Sequence, residues 1–145
     1  MSRHDAHHVS QEALVAFLLN PASYPHTPKS IRLIQTHAAY VVLAPPYVYK
    51  VKKPVNLGFL DYSTLSKRKY VIEREIVLNK RLCSDLYLGV VPIAMDATGL
   101  YFGEGRRIVE YTIKMKRLSE YGFLIQRVQN GKADKKDISR IVDVL

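Results

Sequence analysis

The stretch YVYKVKKPV, Tyr47 to Val55, decides how the rest of the chain is read. Valine and tyrosine suit a pleated, half-buried strand, yet three lysines stand among them. Side chains alternate along a strand, so Lys50 and Lys52 point to the same side as Val48. The strand thus places charge on a face it also buries, and that charge needs a partner or a ligand.

On its N-terminal side, IRLIQTH and YVVLA are β-type runs separated by a turn around residues 36 to 39, and Pro45 and Pro46 lead into the lysine-bearing strand. Three consecutive antiparallel strands are expected over 31–53. Earlier still, Ser10 precedes QEALVAFLLN, and Asn20 with Pro21 supplies a stop, so a short helix runs from 11 to about 19. PASYPHTPKS, with its three prolines, is a connector.

On the C-terminal side, DYSTLSKRKYVIEREIVLNKRL is rich in helix formers and is capped near Ser63. Strands follow at 90–95, at 100–102 across the DATG turn, and at 107–115. Gly103 and Gly105 in GEGRR lack the Walker spacing and mark a hairpin turn. Helical pattern returns over 121–129, breaks at NGKAD, and resumes from about 135. The last helix runs on to Leu145 without cap, glycine or polar tail, so the chain is expected to stop within an element.

The expected fold class is α+β: an antiparallel sheet of about five strands, preceded by a short helix, with one helix packed on the sheet. A chain of 145 residues is about one domain's worth and buries roughly two thirds of its unfolded surface. An apolar content of 48% with 24% charged residues excludes wholesale disorder. Lysine and arginine outnumber acids by 22 to 13, a formal charge of +9, which favours anionic partners: nucleotides, nucleic acid, acidic lipid or an acidic protein.

The single cysteine, Cys83, excludes an internal disulfide and points to a reducing cytoplasm. The start, MSRHDAHHVSQ, has no apolar segment, and no run is long enough to span a membrane. His4, His7 and His8 are read as an exposed polar tail, since nothing nearby fixes a metal geometry.

On a helical wheel of about 100° per residue, Val71, Leu78 and Leu82 fall in one arc with Glu75 inside it, while Glu73 lies opposite near Lys80. The helix therefore also carries a charge on its expected buried face. A buried carboxylate and a buried ammonium each cost several kcal/mol alone and are tolerable together. Glu75 is accordingly paired with a lysine of the strand, and spacing leaves both Lys50 and Lys52 as candidates. The competing reading is a snorkelling lysine with a glutamate at the rim of the stripe.

A strand of the form V-x-K followed by a helix with an inward glutamate resembles the protein-kinase-type arrangement around ATP. YKVKKPV, LNKRL, DLYLGVVPI and IVEYTIKMKRL together resemble the N-terminal part of the aminoglycoside phosphotransferase-like kinase family, in the bacterial branch that often carries a further P-loop ATPase domain. The likeness covers about 19–118. It implies a tail, short helix and linker over 1–30, a kinase-like small lobe and hinge over 31–118, and the incomplete start of a large lobe over 119–145.

The resemblance also implies site roles. Lys50 is the phosphate-pairing lysine, Glu75 its helix partner, Val48 the small apolar residue over the adenine and Val42 an apolar wall above it. Thr36 belongs to the turn over the phosphates, and Lys114, Met115 and Lys116 to the hinge whose backbone bonds the adenine edge. Lys52 is read as solvated. The turn THAAY departs from the family in having no glycine, and no serine near Ala39; backbone amides over 36–40 remain to bind phosphate.

ATP and magnesium are the implied cofactors, and a small-molecule hydroxyl the acceptor. No H-x-D with a downstream asparagine and no D-F-G is present, so the magnesium ligands and the catalytic aspartate are expected in a lobe beyond this chain. Catalysis by the chain alone is not expected, and exposed apolar surface predicts self-association or docking of the missing lobe. The alternative is a non-catalytic basic module binding nucleic acid or another polyanion through Lys67, Arg68, Lys69, Lys80 and Arg81.

Overall fold

Ser10 starts the first helix as expected: its hydroxyl accepts from the Ala13 amide at 3.1 Å, satisfying one of the donors that a helix start leaves unpaired. Helix α1 spans Gln11–Leu19. Asn20 ends it, its amide donating to Phe17 O and its side chain accepting from the Ala22 amide. The proline-rich connector then folds back, so that Tyr24 is buried and donates to the Leu18 carbonyl. These contacts belong to a computed structural model that describes residues 9–81 and 86–116.

The chain continues as β1 (Arg32–Gln35), β2 (Ala39–Ala44), β3 (Tyr47–Lys52), helix α2 (Leu65–Lys80), β4 (Tyr87–Asp96), β5 (Gly99–Phe102) and β6 (Ile108–Lys116). The strands form one curled antiparallel sheet of six, not five, in the order β1-β2-β3-β6-β4-β5. The cap of α2 is Thr64, one residue beyond Ser63, with its hydroxyl accepting from the Lys67 amide. The expected helices over 121–129 and from 135, the histidines of the N-terminal tail, Leu82 and Cys83 lie outside the described residues.

The GEGRR segment is not a hairpin turn. β5 pairs with one edge of β4 and β6 with the other, so this loop carries the chain across β4. Gly105 is required by close approach there: an added Cβ would overlap Tyr101 Oη and come within 2.9 Å of Ala94 Cβ.

Alternation along the strands divides the core in two. Val41, Leu43, Val48, Ile113 and Met115 pack with Ile72 and Ile76 of α2. On the opposite side Val42, Tyr49, Val51 and Ile93 pack with Leu14, Phe17 and Leu18 of α1 and with Tyr24. One helix thus covers each face of the central sheet. Among the described residues no helix is long and apolar enough to cross a membrane.

The buried face of α2 is turned from the expected one. Arg68, Ile72 and Ile76 are buried, Val71 is half-buried and Leu78 is half exposed. Ile72 and Ile76 pack against the sheet, and Arg68 on the same face is bound to Glu110, so the inner stripe runs through these residues and not through Val71 and Leu78. Glu75 stands on the flank shared by both readings and remains directed inward.

Candidate functional site

Pairing of β3 with β2 and β6 brings Lys50 to the centre of the sheet, opposite Val41 on one side and Ile113 on the other. Both neighbours are fully buried, and so is Lys50. Its ammonium donates to both carboxylate oxygens of Glu75, at 3.2 Å to Oε1 and 3.1 Å to Oε2. Strand and helix periodicities, read separately, thus converge on one ion pair across 25 residues of chain.

Lys52 is not solvated. It is 4% exposed, and its Nζ donates to the same Glu75 Oε1 at 3.0 Å, while the Tyr62 ring centroid lies 5.4 Å away. Lys52 shares the parity of Lys50, which keeps it on the side of α2, and it is still within the ladder, opposite Ala39.

The Lys50 amine is depressed from its ordinary 10.5 to about 7. Burial is the first cause and the Lys52 ammonium the second; Glu75 opposes both. Glu75 is the more exposed member of the pair, at 15% of its side chain against none for Lys50. It lines a surface groove of about 410 Å³ with Tyr70, Val71, Arg74, Leu78 and Asn79.

A second buried ion pair supports α2 beside the site. Arg68 Nε donates to Glu110 Oε1 at 3.0 Å, and Nη1 to the Tyr62 carbonyl at 2.8 Å. Glu110 also accepts from the Tyr111 amide. Burial pushes the Glu110 carboxyl up and Arg68 opposes it. Sequence reading assigns Arg68 to a basic surface; its spacing of seven from Glu75 is the one signal that both share a helix face.

The other expected residues divide. Val48 lies on the α2 side with Lys50 and pairs with buried Met115. Val42 does not: it pairs with Tyr49 and faces α1, and Val41 holds the position opposite Lys50. A shift of one residue reverses the face of a strand residue, and β2 is buried on both sides, so its sequence carries no alternation to fix the parity.

Thr36 closes the β1–β2 turn upon itself. Its hydroxyl accepts from the Ala38 and Ala39 amides at 3.3 and 3.1 Å, and its amide donates to Ala39 O. Three amides offered for phosphate are therefore already engaged. Lys114, Met115 and Lys116 are not hinge loop but the end of β6. Lys114 and Met115 are paired with both β3 and β4, and the Lys116 amide donates to Leu86 O. The Lys114 ammonium stacks over Tyr47, 4.1 Å from the ring centroid. The rest of the expected hinge, 117–118, lies outside the described residues.

These positions test the fit of ATP. Two ammonium groups suit the phosphates, whereas the backbone at Lys114 and Met115 is committed to the sheet. Among the described residues no group of three or more histidine, cysteine or acidic side chains is placed to hold a metal.

Fold and site define a small α+β domain with a buried two-lysine, one-glutamate cluster between sheet and helix. Similar sequences occur in uncharacterized proteins of Mycobacterium bovis and of two strains of Mycobacterium tuberculosis, each 32% identical over 111 residues, or 77% of this chain. The chain spans about a fifth, 21%, of the length of these curated relatives. No family model and no solved structure matches it.

Proposed function

We propose that the chain is the ATP-binding small lobe of a protein-kinase-like phosphotransferase of the aminoglycoside phosphotransferase-like type, transferring phosphoryl from ATP to a small-molecule hydroxyl. The observation that carries this reading is the ion pair between Lys50 of β3 and Glu75 of the following helix, with Nζ to Oε2 at 3.1 Å. A lysine on the third strand tied to the next helix is the arrangement that holds nucleotide phosphates in such lobes.

In this reading ATP supplies the transferable phosphoryl group, with magnesium held elsewhere. Lys50 neutralises phosphate charge, Glu75 orients Lys50, and Val41 with Val48 form the apolar surface on the same side. The catalytic aspartate and the metal ligands belong to the remainder of a longer polypeptide. The chain alone binds nucleotide weakly and transfers nothing until a large lobe is supplied.

The test is titration of the folded chain with Mg-ATP. Lys50→Ala and Glu75→Gln are expected to weaken binding by about tenfold or more, the range for loss of a charge-assisted bond. Unchanged affinity in a folded Lys50→Ala sample would falsify the assignment. The polyanion-binding alternative has no specific observation in its favour. Of its proposed cations Arg68 is buried on Glu110, and Lys67 and Lys69 are paired with Asp61 and Glu73.

A further inference from the structure

A surface helix ordinarily turns polar residues to solvent and apolar ones inward. Helix α2 departs from that rule on its outer side. At about 100° per residue, Tyr70, Arg74, Val77, Leu78 and Arg81 share an arc of about 100°, opposite the buried Ile72 and Ile76. The three large apolar side chains of this stripe, Tyr70, Val77 and Leu78, are 60%, 59% and 50% exposed. Exposed apolar residues scattered singly are ordinary. Here they recur at i, i+7 and i+8 along one line, the spacing by which one helix grips another.

The stripe borders a concavity, and the charge around it is positive. Tyr70, Val71, Arg74, Glu75, Leu78 and Asn79 line the groove of about 410 Å³, room for an apolar side chain from outside. Arg74 lies over the Tyr70 ring, 5.7 Å from its centroid, and Arg81 stands seven residues further along the same line. Among the described residues neither arginine stands in an ion pair, whereas Lys67 is bound to Asp61 and Lys69 to Glu73. Glu75 is itself held by Lys50 and Lys52.

We propose that the outer face of α2 is a docking surface for an acidic amphipathic helix of another protein, with apolar side chains set on Tyr70, Val77 and Leu78 and carboxylates on Arg74 and Arg81. Charge complementarity selects this occupant. A guanidinium presents a planar fork of donors that matches a carboxylate, and tyrosine and arginine at the centre of a patch are the residues that carry most binding energy at interfaces.

Other occupants match the stripe less well. A second copy of the chain would bring the same cations to the same line, so that Arg74, near its middle, would face its own equivalent. Residues 117–145 carry six cations against four acids and so offer no net negative charge. An anionic membrane supplies the charge, but a flat lipid surface leaves the groove unfilled. The proposal goes beyond the nucleotide reading and does not depend on it.

The test is fluorescence anisotropy of the 145-residue chain with two labelled helical peptides of about 18 residues, long enough to hold a helix. Both present leucines along one face; glutamates flank that face in one peptide and lysines in the other. Wild type is compared with Leu78→Ser, Val77→Ser, Arg74→Glu and, as a control of equal net charge, Arg106→Glu in the exposed loop before β6. Thermal melts accompany every sample, with sedimentation of the chain alone and co-sedimentation with phosphatidylserine–phosphatidylcholine vesicles.

Wild type is expected to bind the glutamate peptide at least about tenfold more tightly than the lysine peptide. Leu78→Ser and Arg74→Glu are each expected to weaken that binding about tenfold or more, and Arg74→Glu to shift the preference toward the lysine peptide. Arg106→Glu stays within about threefold of wild type, because an isolated exposed charge acts only through the screened field of the whole protein.

Equal losses in Arg74→Glu and Arg106→Glu would reduce the attraction to net charge and overturn the proposal. So would full binding by both serine variants, or no binding of either peptide by folded wild type. A dimer dispersed by Leu78→Ser assigns the stripe to a second copy instead. Vesicle binding that depends on Leu78, without peptide binding, assigns it to a membrane surface, and either result ends the acidic-helix reading. Should one serine variant not fold, the other with Arg74→Glu decides.

Discussion

Arg68 of α2 and Glu110 of β6, 42 residues apart, meet in the interior with Nε 3.0 Å from Oε1 and with neither side chain more than 9% exposed. This pair fixes the helix that carries Glu75 to the strand that neighbours Lys50. It is a positioning contact for the site, and it explains why a helix with so polar a sequence lies firmly on the sheet.

Breaking this pair on one side leaves a buried charge uncompensated. Arg68→Met or Glu110→Gln is expected to lower unfolding free energy by about 3–5 kcal/mol, whereas the double change to apolar residues of similar volume recovers most of it. Urea unfolding of the two single variants and the double variant measures this. Additive losses would show that the two residues do not act as a pair.

The depressed Lys50 amine makes stability depend on pH. Its folded value is about 7 against an ordinary 10.5. Between those values the unfolded chain binds a proton that the folded chain does not, so this group makes the fold more stable as pH rises from about 7 toward 10.5. Urea midpoints compared at about pH 7 and pH 9 are expected to increase in wild type and to flatten in Lys50→Met. An identical pH response in the two proteins would contradict the burial of a titrating amine.

The true inner face of α2 is open to direct measurement. Ile72 is fully buried beneath the sheet and Leu78 is 50% exposed. Ile72→Ala is expected to cost about 2–5 kcal/mol through lost burial and the cavity left behind, and Leu78→Ala within about 0.5 kcal/mol. Equal losses at the two positions would return the buried arc to Val71 and Leu78.

Much of the local structure is legible because its causes are local. Ser10 and Asn20 bound α1 through their own side-chain hydrogen bonds. The β-rich runs on either side of Thr36 become β1 and β2 with the expected turn. The parity of Val48, Lys50 and Lys52 follows from strand alternation, and Glu75 lies inward on any wheel that places either Val71 or Ile72 inside.

Other features depend on which elements meet. Whether Val41 or Val42 accompanies Lys50 is set by register, and β2, buried on both faces, carries no periodic mark of it. The crossing of GEGRR over β4 follows from pairing of β6 with both β3 and β4. Lys114 and Met115 close the strand expected over 107–115 and take a hinge role only from the resemblance; the pairing of β6 commits their backbone to the sheet.

The sequence by itself determined the elements, the inward charges on β3 and α2, and the need for those charges to be compensated, because propensity, capping and alternation act within a few residues. Only the tertiary structure decided that one glutamate serves two lysines, that Arg68 faces inward and binds Glu110, and that Val41 replaces Val42 beside the pair. Those outcomes depend on distances between segments far apart in the chain, where packing and the electrostatics of a shared interior, not local pattern, select the partners.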